Sequence, residues 1–101
     1  MNAYADQNEA AVDTLVRTAF RHRIVEPNFE SGFARFSKLT EETLTASEFQ
    51  AAVAYCLARR LIRDPVRLVE GELQCHWHLE LTPAGVGAAR ALSARALQAS
   101  E

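Results

Sequence analysis

The sequence predicts an α+β fold, mainly α, in which one β-hairpin is set between helices and flanked by an N-terminal and a C-terminal helix. Three observations predict it. After Leu61-Ile62 the apolar period changes from helical to two: Leu73, Cys75, Trp77, Leu79 and Leu81 alternate with Gln74, His76, His78 and Glu80, as a strand with one wet face requires. Ahead of that change, Thr45-Ala46-Ser47-Glu48 has the form of a capping box opening a helix. Behind it, Thr82-Pro83 opens a last helix, with proline at the first position, where a missing N–H costs nothing. The 101 residues, 49% hydrophobic, suffice for one domain with a modest core, and no repeat or linker divides them.

The first helix is expected over 6–22. Val12, Leu15, Val16, Ala19 and Phe20 recur as one apolar stripe. Its acids (Asp6, Glu9, Asp13) come early and its bases (Arg17, Arg21, Arg23) late, which suits the helix dipole. Asp13 and Arg17 are a favourable i,i+4 pair. Ile24-Val25-Glu26-Pro27 breaks this helix. Phe29, Phe33 and Phe36 give the aromatic face of a short helix at about 30–39, followed by a turn. The capped helix at 45–60 turns Phe49, Ala52, Val53, Cys56 and Leu57 inward and Gln50, Ala51, Ala54, Tyr55, Ala58 and Arg59 outward. The hairpin, at 62–81, pairs Val66 and Leu68 with the alternating strand across Glu70-Gly71-Glu72. The last helix, at 83–98, carries a narrow stripe of Val86, Ala89, Leu92, Ala96 and Leu97.

Composition narrows the function. With 11 Lys+Arg against 13 Asp+Glu the net charge is −2, so any nucleic-acid contact must come from a local patch. Arg59, Arg60, Arg63 and Arg67 form such a patch, with Asp64 as the one acid among them. No apolar run approaches the ~20 residues of a membrane span. The first ten residues lack the basic and apolar regions of a signal peptide, which predicts a cytoplasmic chain with Cys56 and Cys75 as reduced thiols. No nucleophile elbow, phosphate loop or dinucleotide glycine motif occurs, and Cys56 falls on a buried face. Neither an enzyme nor a cofactor is expected. His76 and His78 share a strand face, and Glu80 or Cys75 is a tempting third metal ligand. Cys75 points the other way, however, and no zinc spacing completes the set, so exposed histidines touching solvent or phosphate are the simpler reading. Trp77 reads as a core anchor beneath the hairpin. The three phenylalanines read first as core, and secondly as the lining of an effector pocket.

The order helix, short helix, turn, helix, hairpin, helix resembles the winged helix-turn-helix superfamily, and within it small bacterial repressors of the MarR and PadR kind. The residues that carry the resemblance are Arg59-Arg60-Leu61-Ile62-Arg63, where Arg60 stands in a position those families usually give to glycine, and His78-Leu79-Glu80-Leu81-Thr82-Pro83-Ala84-Gly85. The resemblance implies a transcriptional regulator that binds double-stranded DNA as a homodimer. Residues 45–60 would be its recognition helix, with the hairpin as the wing. It implies base contacts from Ser47, Gln50, Ala51, Ala54 and Tyr55, and phosphate contacts from Arg35, Lys38, Arg59, Arg60, Arg63 and Arg67. It also implies dimerisation through the terminal helices, with Val12, Leu15, Val86, Leu92 and Leu97 as the candidate contacts. The alternative is a winged-helix module that binds another protein and never DNA. Its basis is the acidic balance, an alanine-rich helix with Glu48 at its start and no base before Arg59, and Glu70 and Glu72 at the hairpin tip.

Overall fold

A computed structural model describes residues 3–40, 43–68 and 75–99. Among them are four helices and one three-stranded antiparallel sheet, an α+β arrangement that is mostly helical. Helix α1 (Ala3–Arg21) leads into strand β1 (Ile24–Glu26), then α2 (Phe29–Leu39) and α3 (Ala46–Ala58). Strands β2 (Val66–Leu68) and β3 (Cys75–Leu79) follow, and α4 (Pro83–Ala99) closes the order.

Local chemistry accounts for the helix ends. Asn28 caps α2, its Oδ1 accepting from Ser31 N at 2.8 Å. The capping box of α3 is closed in both directions: Thr45 Oγ1 accepts from Glu48 N (3.1 Å), and Glu48 Oε1 accepts from Thr45 N (2.9 Å). Thr82 Oγ1 accepts from Gly85 N at 3.1 Å and caps α4 ahead of Pro83.

The C-terminus of α3 is a Schellman motif. Leu61 N donates to Cys56 O (2.8 Å) and Arg60 N to Leu57 O (3.1 Å), with Arg60 at φ 58 in the left-handed region. That region costs a side-chain-bearing residue about 1–2 kcal/mol and costs glycine nothing sterically. Arg60→Gly is therefore expected to stabilise the domain by about 0.5–1 kcal/mol net of glycine's entropy, read as a higher urea midpoint at unchanged slope.

β3 is the middle strand of the sheet, in the order β1-β3-β2. Ile24 pairs with Leu79 and Val25 with His78 on one side; Val66 pairs with Trp77 and Arg67 with His76 on the other. A bridge between Ile62 and Leu81 extends the pairing of the hairpin. The turn expected at Glu70-Gly71-Glu72 lies outside the described residues. Strand β1 corrects the expectation that Ile24–Pro27 is only a break.

The core joins Leu15 and Val16 of α1, Phe49, Ala52 and Cys56 of α3, Ile62, Leu79 of β3, and Ala89 of α4. Phe29, Phe33 and Phe36 of α2 close around Phe49, with ring centroids 5.6, 5.1 and 4.7 Å away, so they are core, as first read. Trp77 is buried against Phe49 and Phe29 and lies over Gly32 of α2. Burial, with the charge of Asp13 nearby, pushes the Cys56 thiol up to about 12, leaving it a small hydrophobe. Two side chains expected inside lie at the surface: Phe20 is exposed, and Leu57 is 41% exposed because it falls on the outer side of α3's last turn.

The turn from α3 into the hairpin is tied to the start of α4. Thr82 N donates to Leu61 O (3.0 Å) and Thr82 Oγ1 to Arg60 O (2.6 Å). Gly85 packs directly on the Leu61 carbonyl.

Candidate nucleic-acid interface

The outer face of α3 follows from its inner one. Phe49, Ala52, Val53 and Cys56 are buried, which leaves Ser47, Gln50 and Ala54 exposed along one stripe, with Ala51 at its edge and Leu57 and Ala58 continuing it. This stripe carries no charge between Glu48 and Arg59. Tyr55, although 44% exposed, departs from it. It lines a groove of about 480 Å³ against α1 and α4, and the Arg59 guanidinium lies 4.9 Å from its ring centroid. Four of the five base-contact candidates thus belong together, and Tyr55 belongs to the groove.

The basic candidates divide in the same way. Arg59 and Arg60 are exposed where α3 ends, and Arg35 and Lys38 are exposed on α2. Arg63 and Arg67 converge on one carboxylate. Arg67 Nη2 is 3.0 Å from Glu80 Oε2, and Arg63 Nε is 3.8 Å from Glu80 Oε1. These contacts, together with the charge of Arg23, hold Glu80 below the usual carboxylate range. Sequence reasoning missed Arg23, and it weighed Glu80 only as a metal ligand, not as the partner of these arginines. The signal for Arg23 was its place one residue before β1, a strand too short to read.

The histidines need a correction. His76 is half-buried, and His78 is only 9% exposed instead of facing solvent, because strands flank it on both sides. Among the described residues neither His78 ring nitrogen has a hydrogen-bond partner. Burial, then the charges of Arg67 and Arg23, lower its pKa, so folding favours the neutral imidazole. Among the described residues no group of three or more histidine, cysteine or acidic side chains is placed to hold a metal.

The unfolded chain takes up a proton at this histidine below about pH 6.5 while the fold resists it, so His78 lowers stability as pH falls through that value. Thermal unfolding between about pH 7.5 and 5.5 is expected to show this loss, and His78→Leu to flatten it. An unchanged pH slope in His78→Leu would assign the loss to other groups.

The dimerisation candidates separate as well. Leu15 is fully buried within its own chain, where no partner can reach it. Val12 and Leu92 line the α1–α4 groove, Val86 is half-buried, and the side chain of Leu97 lies outside the described residues. The last helix packs back on α1 of its own chain. Among the described residues no helix is long and apolar enough to cross a membrane. No family model matches this chain, and neither a curated protein nor a solved structure matches it.

Proposed function

We propose that this chain is a winged-helix transcriptional regulator of bacterial type that binds double-stranded DNA as a homodimer. The observation that carries the reading is the order α1-β1-α2-α3-β2-β3-α4 with the sheet order β1-β3-β2, in which α3 keeps an uncharged face with Ser47 and Gln50 exposed beside two exposed arginines. On this reading Gln50 pairs with adenine, Ser47 reaches a base edge, and Ala51 and Ala54 meet thymine methyls. Arg59 and Arg60 hold phosphates at the end of the helix, Arg35 and Lys38 do so from α2, and Arg63 and Arg67 do so from the wing. The exposed charge of Arg60, in the left-handed region where glycine costs less, fits this role. No catalysis and no cofactor form part of the proposal.

Titrating a labelled duplex with the protein and following anisotropy at low and moderate salt tests it. Binding is expected to weaken by about 0.9 logarithmic units per tenfold rise in salt for each phosphate contacted. Replacing Arg59 and Arg60 by Glu should reduce that slope by about two contacts. Unchanged affinity and slope in that variant would remove both residues from the interface.

A second reading has its own support. The α3 stripe ends on Leu57, 41% exposed, beside Tyr55 at 44%, and Glu80 partly neutralises the wing arginines. A surface of that kind suits a protein partner better than phosphate. A chain that binds no duplex at low salt and pairs with one protein through α3 would establish that reading in place of the first.

A further inference from the structure

We propose that the outer face of the sheet is a binding site for a phosphoryl oxyanion, gripped by Arg23, Arg63 and Arg67, with Glu80 as the built-in occupant that the ligand displaces. Trp77 sends its ring to the α2 side of the sheet, so His76 and His78, one residue either way along β3, take the opposite side. On that side Arg67 stands opposite His76 and Val25 opposite His78, while Arg63 N donates to Glu80 O at 2.9 Å. Arg23 lies close enough for its charge to act on both Glu80 and His78. Two guanidiniums thus share one carboxylate, and the charge of Arg23 acts on it from farther away. Asp64, the other acid close by among the described residues, accepts from Val66 N through Oδ1. Against these two acids the three arginines leave one positive charge in excess, and a tetrahedral oxyanion can take several guanidinium N–H groups at once.

The second observation is the imidazole. A nine-tenths buried His78 with both ring nitrogens unpaired among the described residues leaves a donor without an acceptor, an arrangement folded proteins rarely keep without a use. When a phosphate draws Arg63 and Arg67 away, the freed Glu80 carboxylate becomes an acceptor for the His78 N–H. Binding and His78 protonation then favour one another, facing Arg23, Arg67, His76 and Glu80 as the charged or titratable neighbours.

The site shares Arg63 and Arg67 with the DNA reading but needs no duplex. Calorimetric titration of the full chain with inorganic phosphate, with sodium chloride holding ionic strength constant, tests it directly. Phosphate is expected to bind, Arg23→Gln to weaken binding about tenfold, and Glu80→Gln to tighten it about fivefold. A purely structural Glu80 would give the opposite result, a less stable fold with no gain in affinity. The His78 ring ¹⁵N signals should titrate at higher pH with phosphate present. Phosphate heats equal to those of chloride, or an affinity unmoved in Glu80→Gln, would overturn the site. A parallel titration with duplex DNA separates the sources: phosphate binding supports the site whether or not duplex binds, and the duplex arm alone decides the DNA reading.

Discussion

Phe49→Ala is expected to lower the unfolding free energy by about 3–5 kcal/mol, a large part of the ~5–15 kcal/mol that holds a domain together. Phe49 is fully buried, and four aromatic rings face it: Phe29, Phe33, Phe36 and Trp77, the last at 5.8 Å. Through it α3 meets both α2 and the sheet. Truncation to alanine leaves a void that the surrounding rings, fixed on α2 and β3, cannot fill by small shifts. Urea unfolding reads the loss as a lower midpoint, with a fall in melting temperature of more than about 12 °C. A loss below about 1 kcal/mol would mean that the rings do not form one packed cluster.

Gly85→Ala is expected to cost about 2–3 kcal/mol. A Cβ there would fall within contact distance of the Leu61 carbonyl oxygen and stand 3.0 Å from both the Leu61 carbonyl carbon and Leu81 Cδ2. Leu81 Cδ2 is a side-chain end that can give way, but the two Leu61 atoms cannot. The Leu61 carbonyl is backbone, already accepting from Thr82 N, and it sits where α3 passes into the hairpin. Relieving the clash must move α4 away from that turn. Gly87, two residues along the same helix, is the internal control, because a Cβ there meets nothing within 4 Å. Gly87→Ala should stabilise the domain by up to about 1 kcal/mol through helix propensity alone. Thermal melts of the two variants in parallel give opposite signs if the contact between α4 and the turn is as described, and the same sign if it is not.

What could be read from the sequence depended on how many residues each element offered. Helices α1 to α4 each span several turns or carry a cap, so period and capping residues marked them; Thr45–Glu48 and Thr82–Pro83 did so to within a residue or two. β1 has three residues, too few to display alternation, and Ile24-Val25-Glu26 before a proline looks the same as a chain break. That omission propagated. Alternation along β3 assigns His76, His78 and Glu80 to one face, but it does not count the strands beside them. With β2 alone as a neighbour His78 belongs in solvent; with β1 added it is central and buried. The same missing strand hid Arg23. Leu57 went wrong for another reason: at the last turn of a helix the angular position of a residue no longer tells which neighbour covers it, and here it is left 41% exposed. Tyr55 and Leu15 were assigned to surfaces by residue type and stripe, whereas packing against α1 and α4 turns one into a groove and buries the other.

The most direct test of the central claim is an amide ¹H–¹⁵N titration of the labelled chain with a short mixed-sequence duplex at low salt. The account predicts shifts concentrated on Ser47, Gln50, Ala54 and Ala58 to Arg60, with a second group at Arg63 and Arg67, and little change along the α1–α4 groove at Val12 and Leu92. An unchanged spectrum, or shifts confined to that groove, would contradict it and transfer the α3 face to the role of a protein-binding surface.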